Sequence, residues 1–226
     1  MTFYPTHQHA VSTGDSNPCV VRPCGMVALH KPPPYRMTVA EFLTWDPGDP
    51  SVHAWQLIDG EPVAMAPASD NHGSIQISLA ARLWNHPEVP GNPCRVVTDP
   101  GIVPRGHSDR NYRVPDVGVT CAPPSGRQIV PDPHILIEIL SPSNETETRA
   151  NVWTYLTIPT VMEVLVVNST RIEAELLRRN PDGTWPEVPQ RIGPDDALEF
   201  GSIGFSVPLA ALYRTTTLAM PGGNPP

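Results

Sequence analysis

Lysine is almost absent from this 226-residue sequence: among fifteen basic residues Lys31 is the single lysine, and the others are arginines. Chemistry that needs an ammonium group must therefore use Lys31 or do without it. No run of about 18 apolar residues occurs, so the sequence predicts no membrane span. The formal net charge of −8 excludes a uniformly basic nucleic-acid-binding protein. A polyanion would have to meet a local basic patch or a bound metal.

Cysteine is also scarce. Cys19, Cys24, Cys94 and Cys121 are too few and too scattered for a disulfide framework. Cys19 and Cys24 are spaced closely enough to begin a metal site, but no second close pair follows, which favours a structural role. The N-terminus lacks a charged segment followed by an apolar one, so we expect no signal peptide. These features predict a soluble protein in a reducing compartment, the cytoplasm.

Proline, in contrast, is abundant, with 30 residues where a usual share is ~5%. Each interior proline costs a helix roughly 3 kcal/mol, so this content excludes an all-helical bundle. Residues 1–36 contain six prolines and show no periodicity, which predicts a disordered tail. The patterned region, 37–213, is the predicted folded domain, and 214–226 is a predicted flexible C-terminal tail.

Within this domain the apolar patterns predict an α/β (α+β) fold with a mixed central sheet flanked by helices. Two short apolar runs around Asp59-Gly60 predict a β-hairpin near the N-terminus. The predicted helices cover a short segment capped by Thr38, residues 69–86 and residues 144–156. The predicted strands cover 95–98, 101–104, 112–119, 134–140, 161–167, 171–179 and the surroundings of Trp185.

Glu138 lies in the middle of the most apolar predicted strand, His134 to Leu140. Strand alternation places it on the same face as Leu136 and Leu140. An ionised carboxylate in such a setting costs several kcal/mol unless it is paired. A buried arginine, protonation of the carboxyl group or a bound metal would each explain this residue.

Asp116 is a second acid in an apolar strand, directly after Pro115. Because proline cannot donate to a strand ladder, the strand is predicted to lie at an edge or to bulge there. Two carboxylates on neighbouring strands suit Mg²⁺, which proteins bind through one or two carboxylates plus waters. In the alternative, Asp116 caps a turn. Glu138 then forms a salt bridge with Arg113 or Arg149.

The sequence contains a series of motifs: Trp55-Gln-Leu-Ile-Asp-Gly-Glu61, His72, Pro115-Asp116, Glu138-Ile-Leu-Ser-Pro-Ser143, and Tyr155 with Pro159 before Glu163-Val-Leu-Val-Val167. In this order they resemble the Uma-two family of restriction-endonuclease-like proteins, which have a PD-(D/E)xK-type nuclease fold. The matching segments span roughly 37–213. The resemblance implies a restriction-endonuclease-like sheet in which Asp116 and Glu138 bind Mg²⁺ (or Mn²⁺). The metal would activate a water and stabilise charge on a phosphodiester.

Two candidate catalytic positions depart from the family pattern. The resemblance implies an acid where this chain has Gln56 and a lysine where it has Asn151. Arg149 is a poor substitute for the lysine because it lies about 200° round the helix from Asn151. A cationic donor oriented towards developing negative charge typically lowers the activation free energy by ~3 kcal/mol, which raises the rate by roughly 10²–10³. The departures therefore predict either a weakened nuclease or a non-catalytic descendant.

Arg113, His72, Ser141 and Glu147 are further candidates, for substrate binding. Arg113 belongs to the segment 95–127, where five arginines against three aspartates can hold phosphates, unless these are solvated loop arginines. His72 matches a family position, with local packing at a helix start as its alternative. Helix capping explains Ser141 equally well, and the helix dipole explains Glu147.

The leading expectation is a Mg²⁺-dependent endonuclease that hydrolyses DNA. The alternative is a catalytically degenerate protein of the same fold that binds nucleic acid or a protein partner, and a third option is a structural oligomer without a ligand. By analogy with nucleases of this fold, which often pair into two-fold dimers, a homodimer is a further expectation.

Overall fold

The structure is a computed structural model that describes residues 36–48, 54–86, 94–142 and 144–219. The predictions for residues 1–35 and 220–226, including those for Cys19, Cys24 and Lys31, lie outside the described residues. The helices are α1 (Val39–Phe42), α2 (Asp70–Trp84), α3 (Glu145–Tyr155) and a final 3₁₀ helix (Leu209–Tyr213). The strands are β1 (Trp55–Ile58), β2 (Glu61–Ala64), β3 (Arg95–Thr98), β4 (Val117–Thr120), β5 (Pro133–Leu140), β6 (Glu163–Asn168), β7 (Ala174–Arg178), β8 (Gln190–Ile192), β9 (Ala197–Phe200) and β10 (Phe205–Pro208).

A mixed sheet of six strands forms the centre of the fold, in the order β3-β4-β5-β6-β7-β8. Strands β5 and β6 run parallel, joined through α3, whereas the other neighbours in this sheet are antiparallel. Two hairpins, β1-β2 and β9-β10, accompany the sheet. This architecture confirms the predicted α/β (α+β) class with a mixed central sheet.

The central strand β5 is buried on both faces, as its apolar sequence predicts. On one face Ile135 and Ile137 pack in a core with α2 and the β9-β10 hairpin. On the other face Leu136 and Leu140 pack in a core with residues of α3. Helix α2 therefore covers one face of the sheet and helix α3 covers the other. Polar residues of β5 face one of these two helices.

The predicted hairpin near the N-terminus is present as β1-β2, with Asp59 and Gly60 in the turn. Both turn residues have positive φ angles, 48° and 87°, which a tight hairpin turn requires. The hairpin is linked to the rest of the domain by paired backbone hydrogen bonds between Leu57 and Tyr112. These bonds place Gln56 of β1 close to the segment that precedes β4.

Several predicted strands were wrong in their limits. Residues 101–104 and 112–116 form isolated bridges, such as Ile102 with Arg113, because prolines interrupt both stretches. Pro115 lies in the break before β4, so it marks neither an edge strand nor a bulge. Trp185 lies outside the strands, with its indole N–H donating to Leu156 O. The three strands β8, β9 and β10 were not predicted, because they are short and half-exposed.

A disulfide joins Cys94 and Cys121 across the neighbouring strands β3 and β4. The register pairs Arg95 with Thr120, so the two cysteines are the next facing positions along the ladder. The cysteine count gives no sign of this cross-strand bond. Facing positions on antiparallel strands bring two cysteines together without any signal in their sequence spacing.

The last described residues contact helix α2. Thr216 is buried, and Thr217 N–H donates to Asn71 Oδ1 over 3.1 Å. The predicted tail, 214–226, thus includes described residues that hydrogen-bond to the domain. In the described ranges, no helix has the length and apolar character needed to cross a bilayer.

Candidate functional site

The strand register places the two candidate carboxylates beside each other. Val117 of β4 pairs with Ile137 of β5 in antiparallel register. One step further along both chains, Asp116 therefore faces Glu138. The peptide N–H of Ile139 donates to Asp116 Oδ2 over 2.5 Å, which fixes the aspartate carboxylate at this point of the sheet. Glu138 lies in β5 as predicted, whereas Asp116 lies one residue before β4 and not within a strand.

Asp116 is held by helix α2 as well as by β5. His72 Nε2 lies 2.8 Å from Asp116 Oδ1, and both side chains are about nine-tenths buried. Asp116 does not cap a turn through its carboxylate, so that alternative is wrong. The capping residue of α2 is Ser69, whose hydroxyl accepts from the backbone N–H of His72. His72 is therefore a buried partner of the candidate metal ligand.

Glu138 is 5% exposed and is hydrogen-bonded to uncharged groups of α3. Tyr155 donates its hydroxyl to Glu138 Oε1 over 2.6 Å, and Asn151 Nδ2 donates to the same oxygen over 3.2 Å. Burial, and then the negative charge of Asp116, raise the pKa of Glu138 to about 8. The same burial, with the adjacent Glu138, raises the pKa of Tyr155 well above its usual value. Glu138 is thus an acid whose ionised form lacks a compensating charge.

The proposed salt bridges of Glu138 are absent from the described residues. Arg149 pairs with Glu175 of β7 instead, in agreement with its predicted direction away from Asn151. Arg113 is 5% exposed, so it is not a solvated loop residue, and its Nη1 donates to Leu57 O over 3.2 Å. The positive charge of Arg113 interacts with Glu138 electrostatically, without a salt bridge between the two side chains.

Gln56 and Asn151, the two positions that depart from the family pattern, contact each other. Asn151 Nδ2 lies 3.4 Å from Gln56 Oε1, which also accepts from the backbone N–H of Val114 over 3.3 Å. Gln56 Nε2 donates in turn to Glu147 Oε1. Burial raises the pKa of Glu147, although the charge of Arg113 and the hydrogen bond from Gln56 oppose this shift. A continuous polar chain therefore runs from Glu138 to Glu147.

Arg113 interacts electrostatically with two of these acids, Glu147 and Glu138. Burial lowers its pKa, while Tyr155, Asp59, Glu147 and Glu138 raise it in that order of strength. Its Nε is buried and has no hydrogen-bond partner in the described part of the chain. A buried cation with an unused donor is suited to hold an anion.

Sequence reasoning assigned no site role to three residues that the structure places here. Tyr155, a motif residue of the resemblance, follows Asn151 by one helical turn and therefore shares its face. Gln76 follows His72 by the same interval, and its Nε2 donates to Asp116 O over 2.9 Å and to Asp99 Oδ1 over 3.0 Å. Burial, and to a lesser degree Asp116, raise the pKa of Asp99.

Ser141 acts locally at the start of α3. Its backbone N–H and its hydroxyl both donate to Asn144 Oδ1, over 2.7 and 3.0 Å. These contacts define the turn that leads from β5 into α3. The N-cap of α3 is Asn144, so Ser141 contacts the capping residue and is not itself the cap. Substrate binding by Ser141 stays a prediction, and Ser143 lies outside the described residues.

The donor set fits a magnesium ion that keeps part of its water shell. Asp116 and Glu138 offer two hard oxygen ligands, as Mg²⁺ prefers. The described residues contain no group of three or more acidic, histidine or cysteine side chains that could hold a metal together. Waters would therefore complete the coordination. Asn151 Oδ1, buried without a partner in the described residues, is an acceptor for such a water.

Comparisons with known proteins bear on the family and the fold of the chain. The model of the Uma2 family, described as "Putative restriction endonuclease", matches residues 39–209. A protein of Synechocystis sp., described as "Uncharacterized protein slr1290", is 31% identical over 201 residues, which are 84% of this chain and 98% of that protein. A crystal structure described as a putative nuclease belonging to DUF820, from Anabaena variabilis, has a TM-score of 0.60 at 17% identity and covers 78% of this chain and 97% of its own. At this identity the structural likeness shows the fold alone.

Proposed function

The chain belongs to the Uma2 family, which is described as "Putative restriction endonuclease", and from this membership and the site geometry we propose that it is a Mg²⁺-dependent endonuclease. Its substrate in this proposal is DNA, and the bond hydrolysed is a phosphodiester. The family match supports the general statement that this is a nuclease-like protein. The metal and the substrate are the part that we propose.

One observation carries the proposal: two facing carboxylates are buried in the sheet without a matching cation. Asp116 contacts the imidazole of His72, and Glu138 is hydrogen-bonded only to neutral side chains in the described residues. A buried carboxylate without a cation is unfavourable by several kcal/mol. A divalent ion between Asp116 and Glu138 would remove this cost.

Different residues of the chain would bind such an ion and orient its ligands. His72 and the Ile139 N–H orient Asp116, while Tyr155 and Asn151 orient Glu138. When bound, Mg²⁺ would supply an activated water and stabilise negative charge on the phosphodiester. The carboxylates hold the metal, and their partners keep them fixed before it binds.

Arginines support a polyanionic substrate. Arg105, Arg110 and Arg127 are exposed on the segment that precedes and follows the metal-binding aspartate. Arg113 lies buried at the site itself with an unpartnered Nε. Exposed arginines favour phosphate contacts along a duplex, and a buried one favours a phosphate near the reacting bond.

Cleavage of supercoiled plasmid DNA tests this function. With Mg²⁺ or Mn²⁺ we expect nicked and linear products, and none with EDTA. Asp116→Ala should abolish cleavage, because it removes one metal ligand. The matched control Asp109→Ala, which removes an exposed aspartate, should cleave like the unchanged chain. Absence of metal-dependent cleavage, or equal cleavage by Asp116→Ala, would contradict the proposal.

A binding module without catalysis is the second candidate. It is favoured by the amide pair of Gln56 and Asn151, which carries no charge where the family pattern has an acid and a lysine. This candidate predicts retention on DNA without cleavage and no heat on titration with Mn²⁺. The expected homodimer is a separate proposal, which sedimentation of the chain alone would test.

A further inference from the structure

Glu147 of α3 is a third carboxylate beside the candidate metal site. Gln56 Nε2 donates to Glu147 Oε1, and Gln56 Oε1 accepts from Asn151, whose amide nitrogen also contacts Glu138. The link from Glu147 to Glu138 therefore passes through two amide side chains. Strand β1 supplies Gln56, so this link joins the hairpin to α3.

A second observation points to a ligand at this place. Asn151 is 3% exposed, and its Oδ1 has no hydrogen-bond partner in the described residues. Buried acceptors are almost always paired in folded proteins. This oxygen therefore suits a donor that is not part of the described chain, such as a water held by a cation.

The charges agree with this assignment. Asp116, Glu138 and Glu147 contribute three acids, and the charge of Arg113 acts on two of them, Glu147 and Glu138. His72 contacts Asp116, the third of these acids. The acids exceed the permanently charged partner, and a divalent cation would balance the excess.

We propose that Glu147 belongs to the cation site and acts by accepting hydrogen bonds from the metal-bound waters. This inference rests on the proposed function. Direct coordination by three side chains is not seen in the described residues, so Glu147 is a positioning residue and not a ligand. Mg²⁺ usually keeps several waters in proteins. Groups that orient a metal's ligands from outside typically change its affinity by about 10–100-fold.

Calorimetric titration of the 226-residue chain with Mn²⁺ at pH 7.5 tests this role. We expect Glu147→Gln to weaken Mn²⁺ binding at least about ten-fold. The matched control is Glu145→Gln, an exposed acid in the same first turn of α3. It removes the same charge and should leave the affinity unchanged. Equal affinities of Glu147→Gln and Glu145→Gln would overturn the inference.

A charge swap separates this role from simple packing. In Gln56→Glu/Glu147→Gln the two contacting side chains exchange identities, so the donor and acceptor of their hydrogen bond are reversed. The carboxylate at position 56 still accepts from Asn151 and from the Val114 N–H. We expect this double variant to recover Mn²⁺ affinity to within about three-fold of the unchanged chain. Recovery no better than that of Glu147→Gln would overturn the inference.

Asp116→Ala distinguishes the two proposals. If the unchanged chain binds Mn²⁺ and Asp116→Ala does not, while Glu147→Gln binds normally, only the role of Glu147 is wrong. If the unchanged chain does not bind Mn²⁺, the proposed function fails, and this inference fails with it.

Discussion

Replacing Glu138 with glutamine is expected to abolish metal-dependent cleavage and, at the same time, to raise the melting temperature of the metal-free protein at pH 8.5. The variant keeps an acceptor for Tyr155 and Asn151, so the hydrogen bonds at Oε1 survive. It removes the negative charge that the metal needs. Loss of a metal ligand and gain of stability therefore come from the same substitution.

The pH dependence follows from the direction of the pKa shift. The pKa of Glu138 is raised from 4.5 to about 8 by burial and by Asp116. Between these values the folded state retains a proton that the unfolded state has released, so stability falls as pH rises. Full ionisation costs on the order of 2–5 kcal/mol. We expect the melting temperature of Glu138→Gln to exceed that of the unchanged chain by roughly 5–10 °C at pH 8.5 and by little near pH 4.

Thermal unfolding in EDTA across this pH range measures the effect. The control is Glu163→Gln, because Glu163 is fully buried but already paired with Arg178 and with backbone N–H groups near Ser202. This control should lose stability at pH 8.5 and leave cleavage unchanged. A Glu138→Gln variant that melts lower at pH 8.5, or that still cleaves, would contradict the account.

Replacing Asn151 with lysine is expected to raise the cleavage rate by roughly 10²–10³, the usual worth of an oriented charged donor. Asn151 Nδ2 already lies 3.2 Å from Glu138 Oε1 and 3.4 Å from Gln56 Oε1. An ammonium group from this position can reach the same two oxygens, one of which belongs to the carboxylate of Glu138. The predicted domain, 37–213, contains no lysine of its own, so the added charge duplicates nothing.

Plasmid nicking at saturating Mg²⁺ measures this gain. Ala150→Lys is the matched control, since it adds the same charge to an exposed position of the same helix. It tests whether a general increase in DNA affinity explains the result. Equal rates for both variants, or no increase with Asn151→Lys, would show that the absent ammonium does not limit the reaction.

The sequence predicted the family, the fold class and the elements that carry the candidate site. The family match and the mixed sheet confirm these predictions. The pattern around Glu138 was informative because a single acid in a fully apolar strand is costly, and such residues need a partner or a ligand. The hairpin at Asp59-Gly60 was predicted for a similarly local reason, the turn's need for positive φ.

Contacts between distant elements could not be predicted in this way. The pairing of Gln56 with Asn151 depends on how the hairpin packs against α3, and Cys94 with Cys121 depends on strand register. The missed strands β8 to β10 are short, and their alternation is too brief to distinguish from loops. The local sequence pattern predicts the helices and strands, whereas the site forms only when these elements pack together.

A crystal soaked in Mn²⁺ and measured at the manganese absorption edge tests the central claim most directly. The account predicts one anomalous peak bonded to an oxygen of Asp116 and an oxygen of Glu138, with waters completing its shell. A soaked crystal without a peak there, with Asp116 still on His72 and Glu138 still on Tyr155 and Asn151, would contradict it.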